Sequence, residues 1–351
     1  MRFALPVFLR GAYYEGMNIA INGCGRIGRH ALKLLRELHD VTIVGVNDLT
    51  EPATLAHLLR HDTVYRAYHR PVEAEGSTLV MDGVSIPVFA EKDPANLPWK
   101  RLQVDVVLEC TGRFTDKAGA EAHLRAGAKR VIISAPPKGE GVPTFVMGVN
   151  DAALTEHDVI MSNASCTTNC LAPLMALLQS SIGIQKSMMT TVHSYTASQV
   201  LQDGPAKDLR EARAAAENIV PTSTGAARAV GMVLPALKQS FDGISIRVPT
   251  PVVSLCDTTL VLSRTVTVEE VNGLFERAAE SEAWKGLIAT TNEPLVSSDF
   301  IGHPASCIVD LSLTRVVGGD LVKVVAWYDN EWGYAHRLVE LALLAGRVTS
   351  T

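Results

Sequence analysis

The segment that most constrains the fold is the glycine loop at residues 23–28, with the sequence GCGRIG. A short apolar strand at 18–22 precedes this loop and a helical pattern follows it, the context in which a G-x-G-x-x-G loop binds a dinucleotide. The glycines permit a tight turn and let a pyrophosphate approach the amino terminus of the helix. Asp48, after the next strand at 41–46, can accept hydrogen bonds from both hydroxyls of an adenosine ribose. We therefore predict a Rossmann-type domain that binds NAD, because a carboxylate at this position would repel the 2′-phosphate of NADP.

The alternation of strands and helices continues along the first half of the chain. Residues 105–110 and 130–136 are predicted strands, and a predicted helix at 118–126 lies between them. Thr111 and Ser134 carry hydroxyls at the ends of these two strands, where a parallel sheet presents its carboxyl edge to a ligand. We therefore include both residues among the predicted cofactor contacts.

Long β-rich runs with few helices follow residue 166, and they predict a second α+β domain with a mixed or antiparallel sheet. The predicted fold class is α/β, a Rossmann-type parallel-sheet domain joined to this catalytic domain. The predicted boundaries are 1–16 for an N-terminal extension, 17–165 for the dinucleotide-binding domain, completed by a C-terminal helix at 331–351, and 166–330 for the catalytic domain. Asp82-Gly83 predicts a hairpin turn between two short strands of the first half.

Composition narrows the possible functions. The 351-residue chain has a formal net charge of −5, which gives no general attraction to nucleic acid or to an anionic membrane. The sequence contains no run of roughly 18 apolar residues, so no transmembrane helix is predicted. The six cysteines form no close CxxC pair, so we expect free thiols in a reducing, cytoplasmic compartment and no metal site.

Cys166 is the candidate nucleophile. Small polar residues precede it and apolar residues at helical spacing follow it, so we expect it at a helix amino terminus. There the unpaired backbone N–H groups and the helix dipole favour a reactive thiolate. His193 ends a predicted strand and is the candidate base that activates the thiol. Taken singly, each residue also fits a structural role, as an inert buried cysteine or a hydrogen-bonded polar histidine.

Five motifs resemble those of phosphorylating glyceraldehyde-3-phosphate dehydrogenases. They are NGCGRIG at 22–28, SNASCTTNCLAP at 162–173, TSTGAA at 222–227, RVPTP at 247–251 and WYDNEWGY at 327–334. The resemblance runs from about residue 18 to the carboxyl end. It implies oxidation of glyceraldehyde-3-phosphate to 1,3-bisphosphoglycerate, with NAD and inorganic phosphate, in a homotetramer.

The resemblance also implies a role for each matching residue. Cys166 would form a hemithioacetal and then a thioester, and His193 would keep the cysteine ionised and accept the hydroxyl proton. Thr196 and Arg247 would bind the phosphate of the substrate. The attacking phosphate would be bound by Ser165, Thr167, Thr224 and Gly225. The predicted cofactor contacts are Gly25, Arg26, Ile27, Asp48, Thr111, Ser134, Asn330 and Tyr334.

Two alternatives remain open at this point. Erythrose-4-phosphate dehydrogenases share the nucleotide loop and the cysteine–histidine pair, but that group usually differs around Thr196 and Thr224-Gly225. A nucleotide-binding or scaffolding protein that has lost its activity would be expected to lack at least one of Cys166, His193, Thr196 and Arg247. The chain keeps all four, which favours an active dehydrogenase.

Overall fold

The computed structural model describes residues 16–348. All of the predicted extension except Gly16, and the last three residues of the predicted C-terminal segment, lie outside these residues. Contacts divide the described chain into two units. The first consists of residues 16–147, 151–164 and 335–348, and the second of residues 148–150 and 165–334.

The secondary structure alternates in the first half of the chain and is richer in strands in the second. The strands are β1 Met17–Asn22, β2 Val41–Asn47, β3 His61–Asp62, β4 Arg66–Ala67, β5 Val72–Glu75, β6 Thr78–Met81, β7 Val84–Phe89, β8 Val106–Glu109, β9 Arg130–Ile133, β10 Ile160–Ser162, β11 Ile184–Ser194, β12 Val220–Thr222, β13 Phe241–Val248, β14 Ser254–Leu262, β15 Ile288–Thr291, β16 Cys307–Asp310, β17 Arg315–Val317 and β18 Leu321–Tyr328. The helices are α1 Arg26–Leu35, α2 Pro52–Arg60, α3 Lys117–Arg125, α4 Cys166–Ser181, α5 Ala226–Val233, α6 Val268–Glu280 and α7 Trp332–Arg347.

The sheet of the first unit has the order β10-β9-β8-β1-β2-β7-β6-β5. Neighbouring strands from β10 to β7 are parallel, and β7, β6 and β5 form an antiparallel meander. The predicted hairpin joins β6 to β7 through Asp82 and Gly83, both with positive φ, as a tight two-residue hairpin turn requires. Buried Trp99, Val107 and Val131 belong to the core beside this sheet. The predicted Rossmann-type domain is confirmed.

Two glycines explain the close packing of the nucleotide loop. Gly23 has a φ of +93°, and a side chain there would collide with the backbone of Thr111. Gly28 packs against the carbonyl oxygen of Gly23, so that a Cβ atom at this position of α1 has no room. Only glycine fits both positions. The absence of side chains there lets the start of α1 pack closely against the end of β1.

The sheet of the second unit is mixed, as predicted. Its order is β12-β13-β11-β14-β18-β16-β15, with β17 paired to β18. β11 is parallel to β13 and β15 to β16, whereas the other pairs are antiparallel. The predicted helix near 224–237 is shorter than expected. It ends at Val233 because Pro235, which begins a separate 3₁₀ turn, cannot continue the hydrogen-bond ladder.

Between β11 and β12, the described residues 195–219 form turns and bends without a helix or strand. Among residues 16–348, none of the helices combines the length and the apolar composition needed to cross a membrane.

Candidate active site

Cys166 is the first residue of α4 in the second unit. Ser165 caps the helix in an extended conformation, and its Oγ accepts a hydrogen bond of 3.0 Å from the backbone N–H of Thr168. Ala164, directly before the cap, has a φ of +57°, a conformation that costs free energy for a residue with a Cβ atom. The thiol therefore lies at a helix amino terminus, as its sequence context predicts.

β11 brings His193 to this thiol. Its Nε2 lies 3.4 Å from Sγ of Cys166, and the ring is buried. In the sheet register, His193 of β11 is paired with Arg247 of the parallel strand β13, and Nη1 of Arg247 lies 2.6 Å from Nδ1 of His193. The structure thus brings together three residues that are 27 and 54 positions apart in the sequence.

Two neighbours of His193 Nδ1 require opposite positions of the ring proton. The carbonyl oxygen of Ser194 lies 2.7 Å from Nδ1 and accepts a hydrogen bond if this nitrogen carries the proton. The guanidinium of Arg247 can only donate, so its contact with Nδ1 is a hydrogen bond only if this nitrogen is unprotonated, and Nη1 also lies 3.3 Å from the carbonyl oxygen of Ser194. The proton on Nδ1 leaves Nε2 free to accept from the thiol. The surroundings therefore do not restrict this histidine to one tautomer.

Burial opposes charge on both the Cys166 thiol and the His193 ring. It raises the pKa of the Cys166 thiol to about 11, although Arg247 and hydrogen bonds from Thr167 act in the other direction. Burial, and then the positive charge of Arg247, lower the pKa of His193 to about 3. The direction for Cys166 is the reverse of the one expected from the helix terminus alone, because loss of water around the charged form has the larger effect. The thiolate is favoured only to the extent that an ion pair with protonated His193 and the helix terminus offset this cost.

The hydroxyls of the segment around Cys166 already have protein partners. Thr167 Oγ1 lies 2.9 Å from the hydroxyl of Tyr328, which in turn lies 2.8 Å from Thr191 Oγ1. Ser165 Oγ lies 2.7 Å from Thr168 Oγ1. The chain of three buried hydroxyls through Tyr328 was not predicted, because its members are 137 and 161 residues apart in sequence.

The other predicted phosphate contacts lie in turns that follow the strands. Thr196 Oγ1 bonds to Ser198 Oγ at 2.9 Å. Thr224 Oγ1 accepts a hydrogen bond of 3.2 Å from the backbone N–H of Ala226, and Gly225 is the N-cap of α5. Arg247, by contrast, lies on β13 and contacts His193 directly. Nε of Arg247 is buried and makes no hydrogen bond, so it can donate to an anionic ligand.

Asn330 lies beside the residue that follows His193. Its Oδ1 accepts hydrogen bonds from the hydroxyls of Ser194 at 3.0 Å and Ser254 at 3.1 Å. Its amide NH₂ is therefore the group that can donate to a ligand. Tyr334 is buried in the first turn of α7.

A cavity of about 510 Å³ in the first unit lies at the carboxyl ends of neighbouring strands. It is lined by Asn22, Gly23, Gly25, Asn47, Asp48, Leu49, Glu91, Lys92, Cys110, Thr111, Arg113 and Phe114. Asp48 Oδ2 accepts from the backbone N–H of Cys24 at 2.6 Å, and Oδ1 accepts from that of Thr50 at 2.9 Å. The two amides orient the carboxylate and leave further lone pairs for a ligand.

Three of the predicted cofactor contacts, Gly25, Asp48 and Thr111, line this cavity, whereas Arg26, Ile27 and Ser134 do not. The guanidinium of Arg26 instead forms an ion pair with Asp62 and lies 5.6 Å from the centre of the Tyr65 ring. Burial acts to raise the pKa of Asp62, but hydrogen bonds from Arg26 and the backbone of Tyr65 outweigh it and bring the pKa to about 2.

The sequence argument missed Glu91, Lys92, Arg113 and Phe114, which also line the cavity. The first two follow β7, and the other two follow β8. The rule that ligands bind at the carboxyl edge of a parallel sheet could have identified them once the strands were assigned.

Comparison with known proteins gives matches to two family descriptions. Residues 17–117 match "Glyceraldehyde 3-phosphate dehydrogenase, NAD binding domain", and residues 165–330 match "Glyceraldehyde 3-phosphate dehydrogenase, C-terminal domain". The glyceraldehyde-3-phosphate dehydrogenase of Kitasatospora aureofaciens is 54% identical over 332 residues, which cover 94% of this chain and 99% of the relative. That of Geobacillus stearothermophilus is 52% identical over 327 residues, covering 93% of this chain and 97% of the relative. Glyceraldehyde-3-phosphate dehydrogenase 2 of Streptomyces avermitilis is 50% identical over 333 residues, covering 94% and 98%.

Proposed function

The chain belongs to the glyceraldehyde-3-phosphate dehydrogenase family, and on that premise we propose that it converts glyceraldehyde-3-phosphate, NAD and inorganic phosphate to 1,3-bisphosphoglycerate. The observation that carries the proposal is the contact of Cys166 Sγ, at the start of α4, with His193 Nε2, together with Arg247 against the same ring. This arrangement provides a nucleophile, a base and a cation for an anionic substrate within one set of contacts.

The residues of the first unit fit NAD. Gly25 leaves open space where a Cβ atom would stand, at the amino terminus of α1, so a pyrophosphate can approach the backbone N–H groups. Asp48, held by two amides at the wall of the cavity, suits the two ribose hydroxyls. When bound, NAD supplies the acceptor for the hydride.

Cys166 and His193 carry out the first half of the reaction. The sulfur of Cys166 bonds to the aldehyde carbon, and its proton passes to Nε2 of His193 and then to the former carbonyl oxygen, giving a hemithioacetal. His193 then takes the hydroxyl proton as the hydride leaves the same carbon, and the product is a thioester on Cys166. One imidazole thus serves as base for the thiol and for the hydroxyl.

Inorganic phosphate completes the reaction. A phosphate oxygen attacks the thioester carbon, the carbon–sulfur bond breaks, and protonated His193 returns its proton to the sulfur of Cys166. The proton of the attacking phosphate is released to solvent. The covalent intermediate divides oxidation and phosphorylation into two steps, each with a lower barrier.

Arg247 and Thr196 are assigned to the phosphate of the substrate. The buried Nε of Arg247, which makes no hydrogen bond, supports this role because a guanidinium can donate to two phosphate oxygens. Thr224 and Gly225, at the amino terminus of α5, are assigned with Ser165 and Thr167 to the attacking phosphate. The hydroxyls of Ser165 and Thr167 already have partners within the protein. These two residues would therefore bind the phosphate through their backbone N–H groups or through a second hydrogen bond of the hydroxyl.

An assay that varies each reactant tests the function. NADH formation is measured with glyceraldehyde-3-phosphate, erythrose 4-phosphate and unphosphorylated glyceraldehyde, each with and without inorganic phosphate. We expect multiple turnovers only with glyceraldehyde-3-phosphate, NAD and phosphate together, and a single burst of NADH without phosphate. Faster turnover of erythrose 4-phosphate would replace the substrate assignment, and the absence of any burst would contradict catalysis by Cys166.

The chain is also assigned to a homo-oligomer, a tetramer by family resemblance. Support comes from the outward face of β11 and β13, where Met188 is 64% exposed and Ile244 is 49% exposed. A surface that exposes such apolar side chains in neighbouring strands is typical of an interface with another copy.

Native mass spectrometry tests the assignment to a homo-oligomer. Ile244→Glu should reduce the tetramer signal, whereas Val317→Glu, at a more exposed site on β17, should leave it unchanged. A wild-type monomer would contradict the assignment.

We assign the protein to the cytoplasm. All six cysteines are free thiols in the structure, which suits a reducing compartment. Cell fractionation with an antibody against the protein tests this location, and recovery outside the cytoplasmic fraction would contradict it.

A further inference from the structure

A buried ionisable pair in the first unit has no part in the chemistry described above. Glu109 at the end of β8 and His123 in α3 are both fully buried, and Oε2 of Glu109 lies 3.1 Å from Nε2 of His123. The indole N–H of Trp99 donates a hydrogen bond of 3.0 Å to Nδ1 of His123. Burying such a pair costs free energy unless each polar atom has a partner.

The partners determine the tautomer of His123. An indole N–H can only donate, so Nδ1 of His123 accepts and carries no proton. The proton of the neutral ring is therefore on Nε2, which donates to Glu109, and the amide nitrogen of Asn22, 3.3 Å from Nε2, donates to the same carboxylate. Trp99 holds the ring of His123 in place, and the ring in turn orients the carboxylate of Glu109 by donating a hydrogen bond to it.

The carboxylate of Glu109 in turn holds the ends of two strands and a loop. Its Oε1 accepts from the backbone N–H of Thr111 at 2.8 Å and also from the hydroxyl of that residue. Its Oε2 accepts from the side-chain amide of Asn22 at 2.5 Å. Thr111 and Asn22 both line the 510 Å³ cavity assigned to NAD.

The network continues to a third wall of the cavity. The amide of Asn47 donates to Oδ1 of Asn22 at 2.7 Å, and two hydrogen bonds of 2.9 Å join its side chain to the backbone N–H and carbonyl of Glu91. The ring of Phe114, which also lines the cavity, meets the ring of His123 edge to face at 6.4 Å. Segments after β1, β2, β7 and β8 are thus all tied to one buried pair.

We propose that Glu109 and His123 are positioning residues for the cofactor, which hold the wall of the NAD cavity in its binding geometry from behind. The proposal rests on the proposed function only through NAD and not through the aldehyde. Binding to a wall that is already ordered avoids the entropy cost of ordering it at each binding event. Loss of the pair should therefore weaken NAD binding more than it slows the chemistry of bound NAD.

Replacement of His123 tests this role. His123→Leu removes both hydrogen bonds, whereas the amide of His123→Gln can donate to Glu109 and accept from Trp99. Val131→Ala, in the core beside the same sheet, is the matched control for general loss of stability. NAD affinity is measured by calorimetry without aldehyde, together with the thermal midpoint, kcat and the KM for NAD.

We expect His123→Leu to raise the Kd for NAD about tenfold, with kcat at saturating NAD within about twofold of wild type. His123→Gln should recover most of the affinity, and Val131→Ala should lower the thermal midpoint with the Kd unchanged. If His123→Leu does not fold, Trp99→Phe, which removes only the N–H and some ring area, should raise the Kd about threefold.

Two results would overturn the proposal. One is an unchanged Kd in a folded variant that lacks the hydrogen bonds of His123, because the pair would then serve stability alone. The other is an equal rise of the Kd in Val131→Ala, which would make the effect one of general destabilisation. A wild-type protein that binds NAD but fails to oxidise glyceraldehyde-3-phosphate would contradict the proposed function and leave this test valid.

Discussion

The two units each contain a buried histidine paired through Nε2, and their surroundings differ in a way that separates two kinds of role. His123 faces the carboxylate of Glu109 on one side and the donor-only indole of Trp99 on the other, so its proton has one position. His193 faces the thiol of Cys166. Its Nδ1 lies within hydrogen-bond distance of both an acceptor, the carbonyl of Ser194, and a donor, the guanidinium of Arg247.

The comparison shows that burial does not separate the two histidines, whereas the fit of their hydrogen-bond partners to one tautomer or to both does. Both rings are buried, at 0% and 5% exposure for His123 and His193. The indole N–H of Trp99 can only donate to Nδ1 of His123 and so assigns one tautomer to it, whereas the neighbours of His193 fit either tautomer. A base must change its protonation state within each cycle, and surroundings that fit either tautomer allow this.

The largest expected effect comes from replacing His193, the proposed base. His193→Asn removes the base and should lower kcat about 10²–10⁴-fold. It should also slow the alkylation of Cys166 by iodoacetamide near neutral pH, because no imidazolium remains to stabilise the thiolate. The two rates are measured on the same preparation, with Cys166→Ser as the control that abolishes both alkylation at this site and acyl-enzyme formation. Alkylation as fast as in wild type would refute activation by His193.

The guanidinium of Arg247 contacts His193, and no such cation contacts His123 among the described hydrogen bonds. Removal of Arg247 should have the next largest effect on activity. Arg247→Ala removes a charged donor, so kcat/KM for glyceraldehyde-3-phosphate should fall about ten- to a hundredfold. Unphosphorylated glyceraldehyde offers no phosphate to this residue and should be affected much less. The measurement is the ratio of the two losses. Equal losses would mean that Arg247 acts through His193 and not on the phosphate.

In the first unit, Asp48 lines the cavity proposed for NAD, whereas Glu109 is proposed to act from behind its wall. Asp48→Gly removes charge-assisted hydrogen bonds worth roughly 1.5–3 kcal/mol and should weaken NAD binding by about one to two decades. NADP binding should improve, because the repulsion of its 2′-phosphate is lost. Calorimetry with both cofactors checks the prediction, and an unchanged preference for NAD would show that Asp48 is not at the ribose.

The smallest expected effect is on the stability of the fold at acid pH, and it depends on the lowered pKa of His193. The pKa of His193 is lowered to about 3 from a usual 6.5, so the unfolded chain binds more protons than the folded protein between these values. Wild type should therefore lose stability relative to His193→Asn as the pH falls below about 6.5, by about 1 kcal/mol at pH 6. Urea unfolding at pH 6 and pH 8 measures the difference. A constant difference between the two proteins would show that His193 remains able to take up a proton in the folded state.

The sequence by itself determined the features that depend on neighbouring residues. The glycine loop at 23–28 predicted the Rossmann-type unit because only glycine tolerates the positive φ at Gly23 and the close contact at Gly28. The residues around Cys166 predicted its place at the first turn of α4, because capping by Ser165 is a local interaction. These signals lie within a few residues of the structures that they specify.

Only the tertiary structure decided which distant polar groups meet and how deeply they are buried. The partners in the Glu109 network are up to 101 residues apart, and Tyr328 lies 161 residues from Thr167. The pKa of Cys166 followed the same rule, because the helix terminus is visible in the sequence but the loss of water around the thiol is not. Desolvation and hydrogen bonding depend on which strands and helices pack together, and that packing brings together residues with no local signal in common.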